Sequence, residues 1–300
     1  MTHDTFTGVF PAMTTPLQDD ESIDHETLAE NARRLEEAGV GGVVPMGTTG
    51  ESATMSHDEH IAVIDTVVDA VDDVPVIAGS GSNNTREALE LSRRAADAGA
   101  DGLLLISPYY NLPEPDGMER HFRAVADAVD LPQIIYNVPG RTGRNIAVES
   151  AVSLAGHENI VGYKAASGDL NRTNEVIERT RSENFTVLSG DDALTLPMIA
   201  QGATGCISVA GNVEPDRVVA LVEAALDDDF GRARELQYEL GDLFRQLFAE
   251  TNPIPINEAM AIRGYHEATM RSPLNRSSEE LREQLRETLA ALEPLEADPA

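Results

Sequence analysis

Short apolar runs alternate along the chain with longer stretches whose apolar residues recur at helical spacing. Eight runs, bounded by glycine, proline or polar residues, have the length of buried strands. They cover residues 8–16, 41–47, 75–81, 102–108, 132–139, 159–165, 185–191 and 204–211. The amphipathic segments cover residues 27–38, 57–71, 85–98, 117–129, 147–155, 171–181, 193–201 and 215–226.

This regular alternation predicts an α/β fold. Eight consecutive βα units favour a closed (β/α)8 TIM barrel over an open doubly wound sheet. We therefore expect a barrel over residues 1–226, with no linker inside it. Only helical patterns follow, at 230–250, 255–264 and 278–292. They predict a C-terminal helical extension over residues 227–300 that packs on the barrel and ends in a frayed tail at 293–300.

The formal net charge is −30, from 52 acidic and 22 basic residues. A charge of this size opposes folding through self-repulsion, which concentrated salt screens. The composition therefore predicts a halophilic protein of a salty cytoplasm, with a merely acidic protein as the alternative. It also argues against nucleic acid as a partner, because phosphates would be repelled.

Other features bear on location. The single cysteine, Cys206, excludes an internal disulfide and fits a reducing compartment. Residues 1–8 show no basic and apolar signal-peptide pattern. No apolar stretch approaches the roughly 18 residues of a membrane span. We expect a cytoplasmic protein without a membrane partner.

Lys164 is the only lysine among the 300 residues, beside 21 arginines. An average chain of this length would carry roughly fifteen lysines. The ordinary alternative is a lysine that forms a structural ion pair. Arginine can form such a pair equally well, so the chain should retain a lysine only where it needs a primary amine that can lose its proton. Burial in the apolar run 159–165 would lower the pKa of the amine. A neutral amine attacks a ketone to form a Schiff base.

Polar side chains at the strand ends should surround this lysine, because the active site of a barrel lies at the carboxyl ends of its strands. A tyrosine such as Tyr136 or Tyr110 could move protons there. Taken singly, however, these would be ordinary core tyrosines, and Arg141 an ordinary surface arginine. The backbone N–H groups of the Gly-Thr-Thr-Gly turn at 47–50 could hold a substrate carboxylate.

Several motifs together resemble those of a known superfamily. They are GTTGE (47–51), GSGSNNT (79–85), SPYYN (107–111), YNVPGRTG (136–143), VGYKAASGD (161–169), SGDD (189–192), ISV (207–209) and NPIP (252–255). Over about residues 8–285 the chain is similar to the class I, Schiff-base-forming pyruvate lyases of the dihydrodipicolinate synthase and N-acetylneuraminate lyase superfamily. The resemblance implies small-molecule substrates, no cofactor, no metal and a homotetramer built as a dimer of dimers.

The resemblance also implies catalytic roles. Lys164 would form the Schiff base with pyruvate, and Tyr136 would be the acid and base. Thr48 and Tyr110 would relay protons to Tyr136, with Tyr110 reaching in from a neighbouring subunit.

Four further positions match residues that bind the substrates. Thr49, together with Thr48, would hold the carboxylate of pyruvate, and Arg141 would bind the carboxylate of the incoming aldehyde. Gly190 and the carbonyl of Ile207 would line the pocket.

Arg141 makes the chain most similar to the dihydrodipicolinate synthase branch. The implied reaction joins pyruvate to L-aspartate 4-semialdehyde, at the entry to lysine and diaminopimelate synthesis. Some members of this branch bind L-lysine as a feedback inhibitor in a cleft between subunits. The matching positions are Ser52, Ala53, His57, His60, Asn83, Glu87 and Tyr109. A metal at His57 and His60 is disfavoured, because the segment offers no third ligand.

Two positions depart from the branch. Ala165 follows the Schiff-base lysine where the branch has glutamate, and Tyr163 precedes it where the branch has isoleucine. Tyr163 should point to the opposite face of its strand and change only the packing. The alternative function is an aldolase that releases pyruvate from 2-keto-3-deoxy sugar acids. A second alternative, from another class, is a non-catalytic barrel that senses a keto acid or an amino acid.

Overall fold

Seven parallel strands form the central sheet of the computed structural model, which describes residues 6–292. The strands are β1 (Gly8–Pro11), β2 (Ile77–Gly79), β3 (Gly102–Ile106), β4 (Gln133–Asn137), β5 (Ile160–Ala165), β6 (Thr186–Ser189) and β7 (Gly205–Ser208). Neighbours in the sheet follow the order β1-β7-β6-β5-β4-β3-β2.

The segment 41–46 closes this sheet into a barrel between β1 and β2. The N–H of Val44 donates to Pro11 O over 2.9 Å, and the N–H of Ile77 donates to Val43 O over 2.9 Å. The expected (β/α)8 barrel is confirmed, although its second strand consists of isolated bridges rather than a regular ladder. Pro45 has no N–H to donate, and Met46 has a left-handed φ of 57°, so regular pairing stops there.

Helices cover the outside of the barrel. They are α1 (His25–Glu37), α2 (His57–Val68), α3 (Thr85–Asp97), α4 (Pro115–Ala126), α5 (Pro139–Thr142), α6 (Val148–Ala155), α7 (Leu170–Thr180), α8 (Thr195–Ile199) and α9 (Pro215–Leu226). Asp24, Ser56 and Asn84 cap α1, α2 and α3 with side-chain oxygens that accept first-turn N–H groups. The short helix α5 was not predicted, because its four residues are too few for a periodic pattern.

Four helices follow the barrel: α10 (Phe230–Glu239), α11 (Gly241–Gln246), α12 (Ile254–Arg263) and α13 (Glu279–Ala291). The helical pattern at 230–250 forms two helices that are separated at Leu240, just before Gly241, a residue type that weakens helices. Leu236, Leu243 and Leu285 of these helices share one buried apolar cluster with Val9 and Cys206 of the barrel. The extension therefore packs on the barrel, while a division of the chain into units at residue 226 stays a prediction.

Apolar side chains form a second cluster inside the barrel. Phe10, Leu104, Ile134 and Leu188 belong to it. No helix in the part of the chain from residue 6 to residue 292 is long and apolar enough to cross a membrane. The expected frayed tail at 293–300 lies outside the described residues.

Candidate active site

Lys164 lies on β5 with its side chain inside the barrel. It pairs in register with Tyr136 of β4 and Leu188 of β6, and only 6% of it is exposed. Its Nζ is 4.2 Å from the centroid of the Tyr136 ring. Burial lowers the pKa of this amine to about 7, although the carboxylate of Asp192 acts in the opposite direction. A substantial fraction of the amine is therefore neutral, and nucleophilic, at neutral pH.

Gly190 gives the lysine stem its space. A Cβ added at Gly190 would lie 2.9 Å from Lys164 Cε and 2.8 Å from Ala166 Cβ. A side chain at this position would therefore displace the lysine stem or Ala166. The glycine after β6 thus allows close packing against the lysine.

Tyr136 carries the second titratable group of the site. Burial raises the pKa of its phenol to about 12, while the charge of Arg141 and a hydrogen bond with the Thr48 side chain lower it. Tyr136 therefore keeps its proton over the neutral range. The Tyr136 ring lies beside the Lys164 amine, and its hydroxyl bonds with Thr48, which is a contact that a proton relay needs.

The Gly-Thr-Thr-Gly turn is tightly fixed against the barrel. Thr15 Oγ1 donates to Gly50 O over 2.8 Å, and Thr49 is 2% exposed. The turn approaches β2 so closely that a Cβ on Gly79 would lie 2.2 Å from Met46 O. The two threonines are consequently held at the barrel mouth by backbone contacts.

Asn252, just before α12, joins two of the predicted site residues. Its main-chain carbonyl accepts from Arg141 Nη2 over 2.6 Å, and its Nδ2 donates to Thr49 Oγ1 over 3.0 Å. Sequence reasoning treated the extension as packing only and missed this residue. The NPIP motif was visible, but nothing in it shows which barrel residues it contacts.

Asp192 is a second site residue that the sequence analysis did not single out. The side chain is buried, and its carboxylate accepts from Ser208 Oγ, from Val209 N over 3.0 Å and from Ala210 N over 2.9 Å. These bonds hold the chain immediately after Ile207, whose carbonyl was predicted to line the pocket. Burial raises the pKa of Asp192.

Tyr110 is not brought to the lysine within this chain. It is 89% exposed and has a left-handed φ of 64°. The neighbouring Tyr109 and Leu112 are also exposed. The third hydroxyl of the expected proton relay therefore does not reach the site within one chain.

The residues of the predicted L-lysine cleft lie on neighbouring elements. Ser52 and Ala53 form a 3-10 turn, His57 and His60 lie at the start of α2, and Asn83 and Glu87 flank the start of α3, with Tyr109 after β3. His60 is buried and its Nε2 is 2.6 Å from Gly79 O, so this ring nitrogen is already used. Between residues 6 and 292 no group of three or more His, Cys, Asp or Glu side chains is arranged to hold a metal ion.

A cavity of about 30 Å³ lies beside Tyr136. Thr48, Ser52 and Ser80 are among the other residues that line it. The volume admits about one water molecule.

Tyr163, the residue before the lysine, faces the helix layer, as strand geometry requires. It is 1% exposed and belongs to the outer apolar cluster together with Ala165. Both departures from the branch pattern therefore lie on the face of β5 opposite Lys164.

Comparison with known proteins identifies the family. A sequence model of the Dihydrodipicolinate synthetase family matches residues 5–292. The chain belongs to the dihydrodipicolinate synthetase family. A 4-hydroxy-tetrahydrodipicolinate synthase of Natronomonas pharaonis is 82% identical over 98% of this chain and 100% of its own length. The same-named protein of Haloarcula marismortui is 65% identical over 98% of this chain and 96% of its own.

Solved structures of the family share the fold. The chloride-inhibited dihydrodipicolinate synthase of Acinetobacter baumannii, complexed with pyruvate, superposes with a TM-score of 0.93 at 39% identity, covering 96% of this chain and 99% of that one. The enzyme of Cyanidioschyzon merolae with lysine bound gives a TM-score of 0.92 at 37% identity, covering 95% and 98%.

Proposed function

We propose that this chain is a 4-hydroxy-tetrahydrodipicolinate synthase, which condenses pyruvate with L-aspartate 4-semialdehyde. The observation that carries the assignment is the buried, partly neutral Lys164 amine beside the Tyr136 ring, in a chain 82% identical to a protein of that name. The enzyme is a Schiff-base lyase of lysine and diaminopimelate biosynthesis.

The chemistry follows from the amine. Lys164 Nζ attacks the C2 carbonyl of pyruvate, and one water leaves as the iminium forms. The iminium withdraws electrons, so C3 loses a proton and becomes an enamine carbon. This carbon attacks the aldehyde of the semialdehyde, whose oxygen takes a proton. The amino group of the semialdehyde then attacks C2, closes the ring and releases the Lys164 amine.

Each proton step needs a group that can hold and return a proton. Tyr136 fits this role, because its phenol keeps its proton at neutral pH and bonds to Thr48. Tyr110 completes the relay from a neighbouring subunit, since its exposure within one chain leaves it free to cross an interface. This part of the mechanism requires assembly, and the homotetramer, a dimer of dimers, provides it.

Two sets of groups receive the substrates. Thr48 and Thr49 hold the carboxylate of pyruvate with hydroxyl and backbone donors, without a cation that would draw electrons from the enamine. Arg141, exposed at the mouth, binds the carboxylate of the semialdehyde. Gly190 and the carbonyl of Ile207 border the reacting carbons.

L-Lysine regulates the enzyme at the cleft formed by Ser52, Ala53, His57, His60, Asn83, Glu87 and Tyr109. Supporting this, the relative from Cyanidioschyzon merolae has lysine bound, and all seven residue types are present here. The enzyme works in a salty cytoplasm, where concentrated ions screen its charge of −30.

The test is pyruvate consumption in molar KCl with aspartate semialdehyde or with glyceraldehyde. We expect turnover with the semialdehyde only. Wild type should also form a borohydride-trapped pyruvate adduct, and Lys164→Arg, which cannot offer a neutral amine, should form none. Turnover with glyceraldehyde only would make the protein a sugar-acid aldolase, and pyruvate binding without any adduct would make it a sensor.

A further inference from the structure

Asn252 stands between the two carboxylate anchors of the proposed site. Its side chain reaches Thr49 and its main-chain carbonyl reaches Arg141. The residue is 6% exposed, and its bond to Thr49 is buried. Thr49 and Arg141 are thereby tied to one residue of the C-terminal extension.

The direction of the bond to Thr49 decides what the threonine can do. Asn252 Nδ2 donates to Thr49 Oγ1 over 3.0 Å. A hydroxyl that accepts from a neighbour keeps its own hydrogen for another acceptor. Thr49 is buried, and the bond from Asn252 is the one that engages its hydroxyl among residues 6–292. Its O–H is therefore free to point at an anion.

The amide orientation agrees with the remaining contacts. Asn252 Oδ1 is buried and has no hydrogen-bond partner in the described part of the chain. Turning the amide over would leave an N–H group there instead, and buried N–H groups without partners are rarer than carbonyl oxygens without them.

We propose that Asn252 is a positioning residue that holds the Thr49 hydroxyl as a donor to the carboxylate of pyruvate. The inference rests on the proposed function, in which Thr49 binds that carboxylate. Asn252 touches neither substrate in this scheme. Its side chain makes the Thr49 hydroxyl a hydrogen-bond donor toward pyruvate. Its carbonyl independently anchors the Arg141 side chain.

Two substitutions separate polarity from packing. In Asn252→Asp a carboxylate replaces the amide and can only accept, so it takes the Thr49 hydrogen away from pyruvate. In Asn252→Ala the bond is lost but the hydroxyl can still rotate toward the substrate. Asn252→Asp should therefore weaken pyruvate binding more than Asn252→Ala does, although aspartate is closer to asparagine in shape.

Asn257 is the matched control. It is a buried asparagine of α12 whose Nδ2 donates to Pro253 O over 3.0 Å and whose Oδ1 likewise has no partner within residues 6–292. It has the same chemistry in the same extension but makes no contact with Thr49 or Arg141.

The measurement is the pyruvate concentration that half-saturates the borohydride-trapped adduct on Lys164, with no aldehyde present, alongside the KM for the semialdehyde. We expect the half-saturating pyruvate concentration to rise about tenfold or more in Asn252→Asp and about threefold in Asn252→Ala. The KM for the semialdehyde should stay within about twofold, because Arg141 is held by the main chain. Asn257→Ala should leave both values unchanged.

Other results would overturn the inference. If Asn252→Asp binds pyruvate as well as Asn252→Ala or better, the hydrogen bond runs the other way, from the Thr49 hydroxyl to residue 252. If Asn252 and Asn257 variants change both constants together, the role is structural. Should Asn252→Asp fail to fold, the double variant Thr49→Val with Asn252→Ala must bind pyruvate about as well as Thr49→Val alone, because Asn252 acts through the hydroxyl that Thr49→Val removes. Absence of an adduct in wild type would instead refute the proposed function.

Discussion

The reactivity of Lys164 depends on its surroundings within the barrel. On a surface its amine would be protonated at neutral pH. Inside, the loss of water outweighs the nearby Asp192 carboxylate, and the pKa falls to about 7. The pKa of Tyr136, a few ångströms away, rises to about 12. The cause is the same, because burial disfavours the charged form of each group. One environment thus produces a neutral amine and a protonated phenol.

The rate of Schiff-base formation should therefore depend on pH with a midpoint near 7. Below this pH the amine is mostly protonated, so the rate at low pyruvate should fall about tenfold per pH unit. Above it the rate should level off, since the pKa of Tyr136 lies far higher. Quenched borohydride trapping between pH 5 and pH 9.5 in molar KCl measures the profile. A rate that still climbs steadily at pH 9 would contradict it.

Substitution of Arg141 tests the electrostatic origin of this midpoint. The positive charge of Arg141 lowers the pKa of Lys164, so Arg141→Gln should shift the midpoint upward. Arg144→Gln is the control. Arg144 follows the same short helix but pairs with the exposed Glu114, and its loss should not move the profile.

At the scale of elements, the N-terminus of α2 is joined to the C-terminal extension. Glu59 bonds to Ser56 of the helix cap and to Arg271, and these bonds hold the pKa of Glu59 near 2. Arg271 also donates to Glu21 O. His57 and His60 therefore start from a fixed helix end, and one wall of the proposed L-lysine cleft is preformed.

Millimolar L-lysine should reduce the turnover of the wild-type enzyme. Glu87 should bind the ammonium of the inhibitor, so Glu87→Gln should weaken inhibition about tenfold, in line with the loss of a charged hydrogen bond. Glu90→Gln, three residues further along α3 and exposed, should leave inhibition as in wild type. Initial rates against L-lysine concentration in molar KCl measure both. A wild-type enzyme at full rate in millimolar L-lysine would refute the cleft.

On the scale of the whole molecule, the charge of −30 dominates. Acidic residues greatly outnumber basic ones, and several arginines are used in ion pairs with carboxylates. An example is Glu214, which bonds to both Arg217 and Arg263 in a largely buried cluster. The remaining carboxylates repel one another across the surface. This repulsion opposes folding, and it would also oppose assembly of like-charged subunits.

Added salt should stabilise the protein strongly. The screening length falls from about 10 Å at 0.1 M to about 3 Å at 1 M salt. We expect the melting temperature to rise by about 10 °C or more between 0.1 M and 2 M KCl. Differential scanning calorimetry at constant protein concentration measures it, with sucrose at equal water activity as the uncharged control. An equal rise in sucrose would attribute the effect to hydration and not to charge.

The sequence alone determined the barrel and the helices after it, and it singled out Lys164, the proposed centre of the chemistry. Apolar runs and amphipathic segments report on burial, which is a local property of each stretch, so seven of the eight predicted strands appear as regular strands and the eighth as bridges. The solitary Lys164 was equally visible, because composition needs no coordinates.

Only the tertiary structure decided how the site is held together. Asn252 lies 203 residues from Thr49 along the chain, and no local pattern shows that the loop before α12 folds over the barrel mouth. The same holds for Asp192, whose three bonds depend on the chain after β7 returning to it, and for Gly190, whose missing Cβ matters only once Lys164 fills the space. Such contacts arise from how elements pack, and a sequence pattern within one element carries no record of them.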